Sequence, residues 1–163
     1  MNEMTIRNVK LEDLDRVTAI ELMCFPKVEA ASMETFRYRI EVFPTSFLVA
    51  EQAGTVIGLI NGCCTDLPTI CDELFEADGG HDPNGANQMI FDLAVAPENR
   101  QQGVAAMLLE AIIERARKEK RKQVVLTCKS HLIAYYEKFG FVLRGLSEST
   151  HGGAEWYDMT ATL

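Results

Sequence analysis

The spacing of apolar and polar residues changes period several times along the chain, and each change marks an element. "MTIRNVK" reads as an edge strand, and "LEDLDRVTAIELMCF" places Leu11, Leu14, Val17, Ile20 and Leu22 or Met23 on one helical face that Pro26 ends. A second helix is predicted in "EAASMETFRYRIEVF", with Ser32 as its N-cap and Pro44 as its stop. "FLVAE", "QAG" and "TVIGLINGCCT" read as two strands joined at Gly54. An irregular acidic stretch, roughly 66–86, leads to a strand at "NQMIFDLAV". The next helix carries Val104, Met107, Leu108, Ala111 and Ile112 at i, i+3, i+4, i+7 and i+8. A strand "QVVLTC", a helix "SHLIAYYEKFG", a strand "FVLRGLSES", a "HGG" turn and a strand "AEWYDMTATL" complete the pattern. This order predicts an α+β domain over residues 1–163 with a central, mainly antiparallel sheet.

Composition narrows the class without naming a chemistry. At 163 residues, with 47% hydrophobic and 25% charged, the chain is long enough to bury one substantial core. Its five cysteines are odd in number and lack CxxC spacing, and its three histidines lie far apart, so no metal site is expected. The start is charged from Glu3 and no apolar run nears membrane-spanning length, which together predict a cytoplasmic protein with reduced thiols and no membrane partner. A net charge of −8 argues against a nucleic-acid partner. Its distribution is uneven. No Lys or Arg occurs between Arg39 and Arg100, yet Asp66, Asp72, Glu73, Glu76, Asp78 and Asp82 crowd that interval. Two readings stand: a solvated acidic loop, or a field that draws in a cation. Arg115, Arg117, Lys118, Lys120, Arg121 and Lys122 gather at the end of the long helix, where cations complement its dipole.

Candidate chemistry lies in "LAVAPENRQQGVAAMLLEAIIERA", where Pro97 stops a strand and the chain turns directly into a helix. Such a turn presents unpaired N–H groups with the dipole behind them, which suits a pyrophosphate. Gly103 would let backbone approach the anion, and Arg100 adds a forked cation. There is no GK[ST] ending and no GxGxxG, so neither a Walker loop nor a dinucleotide fingerprint is present.

A second motif, "YYEKFGF" at 135–141, follows one strand and one helix later. Leu93-Ala94-Val95, Pro97 and Arg100-Gln101-Gln102-Gly103-Val104-Ala105, followed by Tyr136-Glu137-Lys138-Phe139-Gly140-Phe141, closely resemble the acetyl-CoA-binding core of the GNAT superfamily of N-acetyltransferases. The resemblance implies a splayed sheet of about seven strands flanked by about four helices. It places the pantetheine arm between "IFDLAV" and "VVLTC" and the pyrophosphate on the turn at 100–106. The implied cofactor contacts are Leu93, Ala94, Val95, Arg100, Gln101, Gln102, Gly103, Val104, Ala105, Ala106 and Tyr136, with acetyl-CoA as co-substrate.

Within that superfamily, "CFPKVEAAS", "FLVAE", "VLTCK" and "HGG" before "WYDM" resemble the arylalkylamine (serotonin-type) acetyltransferases. Vertebrate members relay a proton through two histidines on the strand before the turn. Met89 and Phe91 stand at those positions here and accept no proton. An alkylammonium must still lose a proton before attack. Glu29, which the resemblance sets beside the amine, is the first candidate base, with a carboxylate at a helix N-terminus as its structural alternative. Asp92 is the weaker one, since alternation turns it away from Phe91 and Leu93. The Leu93 N–H would meet the oxyanion and Tyr136 would protonate the leaving thiolate. Phe25, Pro26, Glu29 and His151 would line the acceptor site, with Trp156 as a further flanking aromatic. Cys128 reads as a small core residue rather than an acyl carrier. The expected partners are acetyl-CoA and a small amine, either an arylalkylamine or a polyamine, bound by a monomer or homodimer. A non-catalytic acyl-CoA sensor and an acetyltransferase of protein N-termini are the alternatives.

Overall fold

The computed structural model describes residues 3–75 and 80–163. In chain order the strands are β1 (Met4–Asn8), β2 (Phe47–Gln52), β3 (Thr55–Asn61), β4 (Cys64–Thr65), β5 (Asn87–Ile90), β6 (Asp92–Val95), β7 (Gln123–Cys128), β8 (Val142–Leu146) and β9 (Tyr157–Thr162). The α-helices are α1 (Leu14–Cys24), α2 (Met33–Val42), α3 (Asp72–Phe75), α4 (Val104–Lys118) and α5 (Ile133–Glu137). The expected single sheet of about seven strands is, among the described residues, two sheets. One has the order β1-β2-β3-β6, the other β4-β5-β7-β9-β8. All pairings are antiparallel except β5 with β7.

The two longest predicted strands divide between these sheets. "NQMIFDLAV" becomes β5 and β6, which pair with β7 and β3 respectively, so the chain changes partner at Phe91. "TVIGLINGCCT" breaks after Asn61 in the same way. At that second break Gly62 lies against the Met89 carbonyl so closely that any Cβ would overlap it, and the Met89 N–H donates to the Cys63 carbonyl at 2.8 Å. Periodicity records burial on both sides of the break and is blind to the exchange of partners.

Contacts separate the chain into Met1–Asn61 with Asp92–Ile112, and Gly62–Phe91 with Ile113–Leu163. In the first unit Val17 and Ile20 of α1, Phe36 and Ile40 of α2, and Val49, Leu59 and Ala94 of the sheet share one core. Phe36 meets Phe47 edge to face at 5.6 Å between centroids. Ser32 caps α2 as predicted, its side chain accepting from the Thr35 N–H at 3.1 Å. Residues Val104 and Leu108 of α4 seat on β3 at Gly58, where an added Cβ would stand 3.1 Å from each side chain. That close seating fixes where the helix begins.

In the second unit β7 is flanked by β5 and β9 and buries Val124, Val125 and Leu126. The helix expected from Ser130 to Gly140 is shorter than its pattern. A 3-10 turn at Ser130–Leu132 precedes α5, and bonds from Phe139 N–H to the Tyr136 carbonyl and Gly140 N–H to the Glu137 carbonyl tighten its end. Arg121, expected merely to complement a helix dipole, donates to the carbonyls of Gly85 (2.6 Å) and Pro83 (3.2 Å) and so anchors the segment before β5. No helix among the described residues is long and apolar enough to cross a membrane.

Candidate functional site

The first unit carries a free strand edge running into an open turn. The Ala96 N–H donates to the Ile57 carbonyl at 2.8 Å, which continues the β3–β6 register. Antiparallel alternation then makes Ala94 and Asp92 the bonded partners of Leu59 and Asn61. The N–H and C=O of Leu93 and Val95 point the other way, where this sheet has no further strand among the described residues. Consistent with that direction, the Val95 carbonyl accepts from the Cys24 thiol at 3.2 Å. Beyond Pro97 the chain passes through Gln101 at φ 63° and Gly103 at φ 81° and enters α4 at Val104. Nothing lies within 4 Å of where a Cβ on Gly103 would stand. Arg100, Gln101, Gln102 and Gly103 are exposed, Ala105 and Ala106 are half-buried and Val104 anchors the helix in the core. The Arg100 guanidinium donates to the Cys24 sulfur at 3.4 Å. An open cradle, outward N–H groups, a helix dipole and one forked cation fit the phosphates and amides of a coenzyme A arm.

The acceptor candidates Phe25, Pro26 and Glu29 lie in this same unit, on the loop between α1 and α2. Glu29 and Ala30 both donate their N–H groups to the Pro26 carbonyl at 2.9 Å, a compact turn. Glu29 is half-buried and sits three residues before the N-cap Ser32, so its carboxylate belongs to the loop rather than to the α2 terminus. The Ala31 N–H donates to Glu21 Oε2 at 2.8 Å.

That bond leads to a group absent from the expected site. Glu21 on α1, Arg39 on α2, Asn61 on β3 and Asp92 on β6 are all buried. Arg39 donates to Asn61 Oδ1 at 3.0 Å, and Asn61 stands opposite Asp92 in the ladder. Burial first, and then the charge and hydrogen bond of Asp92, drive the Glu21 carboxyl far above the ordinary range. The sequence carried a signal: Glu21 falls on the face of α1 defined by Leu14 and Val17, and Arg39 on the face of α2 defined by Phe36 and Ile40. Charges at core positions stand out once the helical face is drawn.

Tyr136 and His151 belong to the second unit. Tyr136 is buried in α5, with its ring edge-on to Tyr135 at 5.4 Å and Phe141 at 5.9 Å. His151 stacks on Phe75 at 4.6 Å, Phe75 in turn meets Phe91 at 5.2 Å, and the Trp156 indole donates to the His151 carbonyl at 2.9 Å. Asp72 holds this group together. It accepts from Ser149 Oγ at 2.6 Å and Thr150 Oγ1 at 3.2 Å, and these bonds, Ser149 foremost, keep its carboxyl below the usual range. Other carboxylates of the acidic stretch serve as acceptors too. Asp66 accepts from the Ala86 N–H and Asp82 from the Asn84 N–H, while Glu76 and Asp78 lie outside the described residues. Met89 is a core residue. Burial pushes the Cys128 thiol up to about 11, which disfavours the thiolate an acyl-cysteine would need. Among the described residues no group of three or more His, Cys, Asp or Glu could hold a metal ion.

Residues 44–143 match the acetyltransferase (GNAT) domain family. The chain is 28% identical over 135 residues to "Probable hydrolase YhcX" of Bacillus subtilis, covering 76% of this chain and 26% of that protein. It is 26% identical over 156 residues to serotonin N-acetyltransferase of Mesocricetus auratus, covering 93% of this chain and 74% of the relative. The fold matches the GphF GNAT-like decarboxylase in complex with isobutyryl-CoA with a TM-score of 0.83 at 21% identity, over 97% of this chain and 98% of that one.

Proposed function

We propose that this chain, which belongs to the acetyltransferase (GNAT) domain family, transfers an acetyl group from acetyl-CoA directly to the primary amine of a small molecule, an arylalkylamine or a polyamine. The observation that carries the reading is the free edge of β6 running into the open turn at Gly103. Outward N–H groups at Leu93 and Val95 can bond the amides of a pantetheine arm as a further strand would. The turn and the start of α4 take the pyrophosphate, with Arg100 supplying a forked cation. The similarity to a serotonin acetyltransferase over most of both chains favours a small amine as acceptor.

Each residue then has a task. Glu29, in the loop that follows α1, accepts the proton that the ammonium must lose before nitrogen attacks. The Leu93 N–H, fixed on a strand edge, stabilises charge on the thioester oxygen as the carbonyl becomes tetrahedral. Tyr136 returns a proton to the departing thiolate. Phe25 and Pro26 of the first unit and His151 of the second are the acceptor candidates, and the aromatic group around His151 favours a flat ring. A protein in the cytoplasm would find both substrates there.

The test is release of free thiol from acetyl-CoA against tryptamine, phenethylamine, spermidine and N-terminal peptides. Turnover of one of the amines with little for peptides is expected. Turnover restricted to peptides replaces the acceptor class. Tight coenzyme A binding without turnover of any of them makes the chain a sensor.

A further inference from the structure

Glu21, Asp92, Arg39 and Asn61 form a buried group that the proposed chemistry does not use. Glu21 is 2% exposed, Arg39 5%, Asp92 7% and Asn61 0%. Counted as ions, two carboxylates and one guanidinium leave a net charge of −1 away from water. Desolvation makes that state expensive, and one bound proton removes it. The hydrogen bonding agrees. Glu21 meets Asp92 closely enough to hydrogen-bond, yet Glu21 Oε1 has no donor facing it. Two carboxyl groups can bond only if one of them holds a proton. On the other oxygen Glu21 accepts the Ala31 N–H, so it is tied at once to the acceptor loop and to the residue before Leu93. Asn61 is 0% exposed, its Oδ1 accepts from Arg39, and its Nδ2 has no acceptor.

We propose that Glu21 and Asp92 share one proton, and that this neutral clamp is a positioning device which holds the acceptor loop at Ala31 in register with the start of the β6 edge. Glu21 works as a carboxylic acid, not as a base. The groups acting on it are Asp92 from β6, Arg39 from α2, which in turn donates to Asn61 of β3, and the Ala31 N–H from the loop. Loss of the shared proton leaves two adjacent anions with one guanidinium, and the pair separates. The loop then loses its tie to the strand that carries the oxyanion donor. The inference rests on the acetyltransferase reading only for its effect on turnover, since the clamp is a property of the fold.

Three variants test it. Glu21→Gln keeps an acceptor for Ala31 and a donor for Asp92 without a titrating proton, Asp92→Asn removes the partner charge, and the double variant takes both charges away at once. Thermal unfolding and amide exchange at Ala31 are followed against pH for all three, together with turnover of whichever amine the parent acetylates. Glu21→Gln should hold Ala31 protection and stay within about threefold of the parent kcat/KM at neutral pH. It should also lose the parent's alkaline decline in stability and in kcat. The sign follows from linkage: a carboxyl raised by folding stabilises fully below its unfolded pKa, and that contribution drains away as pH climbs toward the folded value. The double variant should lose Ala31 protection and at least about tenfold in turnover, or fail to fold, because both carboxylate charges are removed from beside a buried guanidinium. If Glu21→Gln loses Ala31 protection at every pH, or keeps the parent's alkaline decline, the shared-proton clamp is wrong. The exchange and unfolding measurements decide this even for a parent that acetylates none of the amines, an outcome that would sink the functional reading alone.

Discussion

The turn at 97–103 offers a ligand its backbone, whereas the loop at 147–156 offers side chains that other side chains hold in place. In the turn, Arg100 and the two glutamines are exposed, and the conformation rests on positive φ at Gln101 and Gly103. In the loop, Asp72 fixes Ser149 and Thr150, and Phe75 fixes the ring of His151. Backbone recognition tolerates most substitutions and fails at the residue whose φ matters. A side-chain mesh fails wherever one member is removed, and it can be retuned for a different acceptor without disturbing the turn.

The largest effect should come from a single side chain of the second unit. Tyr136→Phe keeps the buried ring but removes the proposed acid, so turnover should fall by about 10²–10⁴-fold with coenzyme A affinity retained. Steady-state kinetics and calorimetry read the two quantities separately. Undiminished turnover would make Tyr136 a core residue and leave Glu29 and the strand-edge backbone of the first unit as the proposed chemistry.

Next in size is the turn itself. A Cβ on Gly103 has nothing within 4 Å among the described residues, yet a β-branched residue such as valine at φ 81° is strained by about 1–3 kcal/mol. Coenzyme A should bind about tenfold to a hundredfold more weakly, with the amine KM nearly unchanged. Equal affinity in a folded variant would show that the ligand does not use this backbone.

These two sites were not equally legible in the sequence. The turn was readable because a proline, a glycine and an apolar helical face are local signals, and the structure places Val104 and Leu108 on the sheet as that face requires. Ser32 as a cap was local too. The change of partners at Phe91 was not, because both halves of "NQMIFDLAV" are apolar and strand-like whichever sheet they join. Asp72 was grouped with its acidic neighbours since its partners are 77 and 78 residues away. Long-range pairing leaves no spacing to read. Glu21 and Arg39 lie between these cases: their core positions were visible, their company was not.

A third, smaller effect separates the loop from the turn. Asp72→Asn weakens the bonds to Ser149 and Thr150, so the acceptor KM should rise by a few fold while coenzyme A affinity stays constant. Because those bonds lower the Asp72 pKa, its contribution to stability is present above the unfolded value and lost as pH falls through the folded one. The parent should therefore lose melting temperature more steeply than Asp72→Asn on acidification. Parallel curves would mean that the loop holds without this carboxylate.

The smallest effect concerns what remains of the acidic stretch as a long-range field. A hydrogen-bonded carboxylate keeps its charge, so Asp66, Asp72 and Asp82 can still attract a cation while serving as acceptors. Their substitution would change structure and field together. Glu73 is exposed at the start of α3 and its side chain meets the nearby Cys71 thiol rather than a distant segment, which makes Glu73→Gln the cleaner probe. If steering operates, kcat should stay constant and kcat/KM for spermidine should fall by up to about twofold at low ionic strength, less for monocationic tryptamine, because the attraction scales with ligand charge. Salt at about 0.15 M shortens the screening length to roughly 8 Å and should erase most of the difference. An equal loss for both amines, or one that persists in salt, would mean that Glu73 acts by contact, and the acceptor would then be selected by the aromatic loop alone.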